Sequence, residues 1–407
     1  MHLKIIRGAS RKIEIVRNIK LLFEKRLADL AQLPPQSNLL QVLLGPRQVG
    51  KTTAVQQIAK GWDGPVVFAT ADLPFPPDQD WIRAQWQSAR AFQDKRTLLI
   101  IDEIQKVADW STAVKSLIDE ERQLRSGMRV VLLGSASWIT EQGLGDRLAG
   151  RYEMLRAYHW TYKECAQAFG WDLPTYLKFG GYPVPAPFIS DPERWQQFLL
   201  DSIVGPMLSK DILPLKQIAK PSLFRQAFAL AMSYPAQEIS INKLLGQLQD
   251  GGNTATIKSY LDLMESGYTI RLLEKYSARL LVRKSSSPKL IPQCHALIHA
   301  FVPPKQLDTD PDWFGRVFEN AIGALLCQSF RDVTYWREGH AEVDYVVSWE
   351  EKLIGIEIKS GRKKGAKGLS EFKRRFPKAD AVVMDRDLGE RFLLAEDPRQ
   401  FLKSLLV

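Results

Sequence analysis

The sequence is poor in the residues that build metal or disulfide frameworks. It holds three cysteines, Cys165, Cys294 and Cys327, and five histidines. The cysteines are odd in number, scattered and without metal-type spacing, which argues against a disulfide scaffold or a cysteine zinc site. A reducing, cytoplasmic setting is therefore expected. No hydrophobic run approaches the ~18 residues of a membrane span. The opening Met1–Arg7 lacks the apolar stretch of a secretory signal. There is no internal repeat and no low-complexity tract. Acidic residues are outnumbered, 46 Asp and Glu against 56 Lys and Arg, for a net charge of +10. That excess favours a polyanionic partner, nucleic acid or an anionic membrane surface, and charge alone does not choose. A chain of 407 residues is too long for one core, so several domains are expected.

The most informative stretch is Gly45-Pro46-Arg47-Gln48-Val49-Gly50-Lys51-Thr52-Thr53, a complete G-x-x-x-x-G-K-[ST] loop. An apolar, strand-like run (Asn38–Leu44) precedes it and a helical pattern (Thr53–Lys60) follows, the context in which such a loop binds phosphate. Gly45 and Gly50 let the backbone curl and aim its N–H groups inward at a helix N-terminus. Lys51 is expected on the β- and γ-phosphates and the Thr52 hydroxyl on Mg2+.

Further on, Leu98-Leu99-Ile100-Ile101-Asp102-Glu103 reads as a buried strand ending in two acids, where an open α/β sheet places its ligand. Asp102 is the expected metal residue and Glu103 the base that polarises water, so hydrolysis is expected. A third strand, Arg129–Leu133, leads into Ser135 and Ser137, candidates to touch the γ-phosphate or serve as turn caps. Then comes Gly145-Asp146-Arg147-Leu148-Ala149-Gly150-Arg151. This order of strand, loop, acidic strand, serine strand and arginine-bearing helix end resembles the AAA+ ATPases. More narrowly, Ile101–Lys106 and Leu148–Arg151 resemble a bacterial and archaeal group of them whose C-terminal region has long been of unknown function. The resemblance implies that Arg151 or Arg147 reaches a neighbouring subunit's ATP, making hydrolysis depend on homo-oligomer assembly.

Six segments are expected: an N-terminal helical segment (1–36), the P-loop AAA+ core (37–158), a helical lid (159–236), a winged-helix-like domain (237–302), a proline-rich linker (303–312) and a C-terminal α/β domain (313–407). Gly180-Gly181-Tyr182-Pro183 is a structural turn that the same family resemblance also covers. In the winged-helix segment Ile239–Leu245 reads as a first helix and Thr254–Glu265 as a second. Thr254, Thr256, Lys258 and Ser259 are candidate DNA contacts, with Arg279, Arg283, Lys284 and Lys289 on the wing. The C-terminal segment reads helix, three strands, helix, strand, helix. Its Glu319, Asp344 and Glu357-x-Lys359 resemble the restriction-endonuclease-like pattern, in which carboxylates hold Mg2+ or Mn2+ at a phosphodiester and a lysine orients water. Residues 362–378 hold eight basic side chains and one acid, Glu371. Among them Arg362, Lys363, Lys364, Lys373, Arg374 and Arg375 suit a DNA backbone. The fold class expected is α/β, and the function an oligomeric ATP-hydrolysing protein that remodels or moves along DNA. The alternatives are a nucleotide-dependent assembly switch and an ATP-gated nuclease.

Overall fold

The computed structural model describes residues 39–94, 96–135, 144–213, 218, 220–249, 253–277, 286–361 and 367–406. The chain divides into two compact units, one holding the described residues up to Tyr158 with a short piece near residue 210, the other beginning at His159. In the first unit the strands are β1 (Leu40–Gly45), β2 (Val66–Thr70), β3 (Leu98–Asp102), β4 (Arg129–Ser135) and β5 (Tyr152–Arg156). They form one sheet in the order β2-β3-β4-β1-β5, and every neighbouring pair is parallel. β1, β3 and β4 are buried throughout, as their unbroken aliphatic runs require of strands covered on both faces. Helices α1 (Lys51–Lys60), α2 (Gln79–Arg90), α3 (Trp110–Leu124) and α4 (Leu144–Arg147) connect them.

Ile82 and Trp86 of α2 pack with Trp110, Val114 and Ile118 of α3 over Leu99, Ile101, Val130 and Leu132 of the sheet. One charge lies inside this layer. Glu121 is 1% exposed and accepts hydrogen bonds from Trp86 Nε1 (2.8 Å), Arg90 Nε (2.5 Å) and the Ser126 hydroxyl. Such a carboxylate is tolerated because each of its neighbours donates to it.

The second unit opens with α5 (Tyr162–Phe169), α6 (Leu173–Phe179) and α7 (Pro192–Leu199). Gly181, at φ 113°, sits where a Cβ would lie 2.3 Å from Cys294 Sγ, and the Tyr182 hydroxyl lies 3.1 Å from His159 Nε2. The glycine turn is thus a packing device. Next come α8 (Pro221–Met232), β6 (Gln237–Glu238), α9 (Ile241–Leu245), α10 (Thr254–Ser266), β7 (Ile270–Leu273) and β8 (Lys289–Pro292). The strands pair antiparallel in the order β6-β8-β7. Ser240 caps α9 and Asn253 caps α10, each accepting a backbone N–H three residues on.

After α11 (His295–Phe301), residues 303–312 differ from the expected linker. They form the helical turn α12 (Gln306–Thr309), bury Leu307, and start α13 (Pro311–Ser329) with Asp310 as cap and Pro311 in the first turn. The prolines here begin helices and do not extend the chain.

The C-terminal strands are β9 (Asp332–Glu338), β10 (Ala341–Trp349), β11 (Lys352–Lys359) and β12 (Asp380–Asp385), with α14 (Lys367–Arg375), α15 (Arg386–Leu393) and α16 (Pro398–Ser404). The sheet order is β12-β11-β10-β9, with β11 and β12 parallel and the other pairs antiparallel. Phe372 of α14 packs where Gly355 leaves no side chain in the way. The register between β9 and β10 shifts between Val343 and Val346. This irregularity brackets Asp344, and such shifts re-aim side chains. No helix among the described residues is long and apolar enough to cross a membrane.

Candidate nucleotide site and C-terminal acid cluster

The loop between β1 and α1 turns on Gln48 (φ 59°) and Gly50 (φ 88°), both left-handed. Gly45 serves another purpose than the expected curl. A Cβ there would lie 2.0 Å from the Ala157 carbonyl oxygen, just past β5. Gly50, the last glycine of the loop, stands at the N-cap of α1, which no side chain caps. Pro46 and Val49 are buried, Arg47 is partly buried, and Gln48 and Thr53 are exposed. The Lys51 ammonium donates to Gly45 O (2.9 Å) and Pro46 O (2.7 Å) and is held inside the loop.

The Thr52 hydroxyl donates to Asp102 Oδ2 at 2.8 Å, which joins the loop to the end of β3. Burial raises the Asp102 carboxyl, and the Thr52 hydrogen bond opposes that shift. A hydroxyl and a carboxylate at this separation are hard oxygen donors that fit Mg2+.

Glu103 follows with φ 55°, a sparsely populated conformation for a residue with a side chain. Its Oε2 accepts from Gln105 Nε2 at 2.5 Å, and the same nitrogen lies 3.3 Å from Ser135 Oγ. Ser135 is buried at the end of β4 and pairs in register with Gly45. Acid, amide and hydroxyl therefore form one chain beside the loop. Ser137 lies outside the described residues.

The two arginines differ. Arg151 closes a fork on Asp119 of α3 (Nε 2.7 Å, Nη2 3.0 Å) and donates to Ala149 O at 3.1 Å. The hydrogen bonds from Arg151 hold the Asp119 carboxyl below its usual range. Arg147 keeps a half-exposed side chain, with Nη1 against the Thr112 hydroxyl and 3.7 Å from Asp109.

Of the residues expected on DNA, Thr254 and Lys258 are exposed on α10, while Thr256 and Ser259 are half-buried. Thr256 gives both its N–H and its hydroxyl to Asn253 Oδ1. Lys373, Arg374 and Arg375 are exposed on α14, where Arg374 pairs with Glu371 and Arg375 lies 3.8 Å from Glu338. Arg279, Arg283, Lys284, Arg362, Lys363 and Lys364 fall outside the described residues, as does the N-terminal segment 1–36.

Lys289 is not on an exposed wing. It starts β8, the middle strand of its sheet, and is 1% exposed. Its ammonium lies 2.6 Å from Glu319 Oε1, 3.7 Å from Asp344 Oδ1 and 3.2 Å from Asp344 O, above the Tyr345 ring. Asp344 Oδ2 in turn accepts the Ile358 N–H at 2.7 Å, and Glu357 Oε1 accepts from Lys359 Nζ at 2.5 Å. Burial pushes the Glu319 carboxyl up to about 8, with Asp344 adding to the rise and Lys289 opposing it. Burial raises Glu357 as well, with Asp344 contributing. For Lys289 burial acts downward, but the charges of Glu319 and Asp344 outweigh it and the net shift is upward. The four expected residues are brought together, with a fifth, cationic, in their midst.

Two residues of these clusters escape the sequence reading. Gln105 stands in the quoted Ile101–Lys106 run, and its polar side chain beside two acids was the available signal. Lys289 gave no signal beyond its charge.

A glycine loop between a buried strand and a helix, an Asp-Glu pair at the end of β3, and the strand order above define a P-loop domain of the AAA+ type. Residues 37–166 match the family described as AAA domain. Residues 170–304 and 314–393 match two families described as domains of unknown function, DUF8612 and DUF4143. No curated protein matches the chain. Among solved structures, the chain is similar to the Thermotoga maritima RuvB Holliday junction branch migration motor (16% identity, 63% of this chain and 89% of that one, TM-score 0.35). It is also similar to AMPPCP-bound DnaA from Aquifex aeolicus (15%, 62% and 89%, 0.34). A third is the Aeropyrum pernix ORC1 protein in complex with DNA (11%, 71% and 92%, 0.30).

Proposed function

We propose that this protein is a homo-oligomeric ATPase that acts on DNA. The observation that carries the ATPase reading is the Thr52–Asp102 hydrogen bond, with Lys51 on one side of it and Glu103 on the other. Together they supply one site with a phosphate cation, two metal donors and a base. In this reading the loop N–H groups and Lys51 would bind the triphosphate, and Thr52 and Asp102 would hold a Mg2+ ion that, when bound, would neutralise phosphate charge. Glu103 takes a proton from the attacking water on a carboxylate oxygen, and Ser135 orients that water or the γ-phosphate. Arg147, exposed at the surface of its unit, is the better finger for a neighbour's nucleotide, because Arg151 is committed to Asp119. The DNA reading rests on the net charge of +10 and on exposed Lys258, Lys373, Arg374 and Arg375. In the C-terminal domain, Glu319, Asp344, Glu357 and Lys359 have the composition of a restriction-endonuclease-like centre.

The test is ATP turnover of wild type and Lys51→Ala with single-stranded, duplex and branched DNA. Stimulation by at least one form, absent from Lys51→Ala, is expected. Turnover that ignores every DNA form would remove the DNA part of the proposal. Slow turnover with a nucleotide-dependent change in mass would instead favour an assembly switch.

A further inference from the structure

The C-terminal acids have the composition of a metal centre but not its charge arrangement. Two or three carboxylates that share a divalent ion leave their facing oxygens to it. Here the space facing Glu319 and Asp344 is taken by Lys289 Nζ, 2.6 Å from one carboxylate and 3.7 Å from the other. The remaining acid, Glu357, is bonded to Lys359. Among the described residues no three His, Cys, Asp or Glu side chains form a group that could hold a metal. An ammonium and a divalent cation at this separation repel each other, the more so because Lys289 itself is buried.

Lys289 is also not a mobile surface side chain that could step aside. It is fixed by backbone pairing of β8 to β6 and β7, it lies over the Tyr345 ring, and it donates to Asp344 O. The Tyr345 hydroxyl donates to Glu319 O at 2.9 Å, which ties α13 to β10 on the other side of the same ammonium. Nearby, Arg337 of β9 pairs with Glu238 of β6 at 3.0 Å, and the N–H groups of Tyr276 and Tyr335 bond across to each other's stretch. The lysine thus sits where the three-stranded sheet meets the C-terminal α/β domain.

We propose that Lys289 is a built-in cation that stands in for the divalent ion of the C-terminal acid cluster, fastening the β6-β8-β7 sheet to α13 and β10 and leaving the cluster unable to bind metal or cleave DNA. This rests on reading the cluster as nuclease-like, and the C-terminal domain then serves as a binding and assembly module.

The experiment is an Mn2+ titration of the full-length protein without nucleotide, by calorimetry and by electron paramagnetic resonance. Wild type is compared with Asp344→Ala, Lys289→Met and the double variant Lys289→Met/Glu319→Gln. The double variant removes one buried charge of each sign, so it guards against Lys289→Met failing to fold with Glu319 unpaired. Wild type is expected to show no site that depends on Asp344. Lys289→Met is expected to gain one, bound at least ~10-fold tighter than the detection limit set by wild type and lost again when Glu357→Gln is added; the double variant, short of one carboxylate, is expected to gain a weaker site on Asp344 and Glu357. An Asp344-dependent Mn2+ site in wild type, or Mn2+-dependent DNA cleavage by it, overturns the proposal. So does a folded Lys289 variant without a new site, an outcome that would also count against the nuclease-like reading. A wild-type site would leave that reading standing, so the two failures are distinguishable. If neither variant folds, the wild-type titration decides.

Discussion

Replacing Gln105 with leucine removes the side-chain donor of the described hydrogen bond to Glu103 while keeping a similar volume at a buried position. Glu103 stands on a left-handed backbone at a strand end, so its side chain depends on Gln105 for orientation. A hydrogen bond to an ionised group contributes roughly 1.5–3 kcal/mol. Expressed in full only in the transition state, where Glu103 must face the attacking water, at about 1.4 kcal/mol per decade its loss predicts a fall in kcat of roughly 10- to 150-fold. Nucleotide affinity should change little, because Lys51, Thr52 and the loop are untouched. The assay is single-turnover ATP hydrolysis beside Kd for a fluorescent ADP analogue. Glu103→Gln gives the floor, since it removes the base itself. The Gln105→Glu variant should be worse than Gln105→Leu, because it sets a second carboxylate against Glu103. A kcat within about 2-fold of wild type for Gln105→Leu, with an unchanged Kd, would refute the positioning role.

Other outcomes follow from the same geometry. Arg147→Ala should lower turnover only under conditions where the protein assembles, whereas Arg151→Ala should lower the melting temperature with ATP affinity preserved; mixing experiments with Lys51→Ala subunits separate the two. Glu121→Ala leaves Trp86 Nε1 without its acceptor and Arg90 with Glu120 alone, and should destabilise the first unit by roughly 1–3 kcal/mol, read from a denaturant midpoint. Gly45→Ala should abolish tight nucleotide binding or folding, because its Cβ collides with backbone at Ala157. Acid should unfold the second unit: burial lowers His295 to about 3 and His299 to about 4. Their folded-state values lie below the unfolded ~6.5, so stability is full above pH 6.5 and is lost as pH falls towards 4, by on the order of 2–3 kcal/mol per pH unit for the pair. Urea midpoints at pH 7 and pH 5 measure it, and His295→Leu should flatten the dependence.

The parts of the site legible in the sequence are those whose chemistry is contiguous. Strand, loop and helix from Leu40 to Lys60 form one phosphate-binding unit, and Asp102-Glu103 terminates a strand whose aliphatic run announces burial. What escaped depends on partners far away along the chain. Gln105 acquires a role only because β4 lies beside β3 and brings Ser135 near. Arg151 looks like a finger until α3 places Asp119 against it. Lys289 looks like one more basic wing residue, and only the central position of β8 and the approach of α13 and β10 bury it. The linker reading failed for a local reason: prolines at 303, 304 and 311 open helical turns, and Leu307 gives that stretch something to bury. The register shift that brackets Asp344 is likewise a property of how β10 pairs with β9, not of its local sequence.

The contact between Gly45 and Ala157 leaves no side chain between two backbones. The Ala157 N–H donates to Leu44 O at 2.7 Å, so the end of β1 and the residue that follows β5 are joined by backbone alone. A peptide held this way has no rotamer with which to adjust, and the mouth of the loop is thereby pinned to the edge of the sheet.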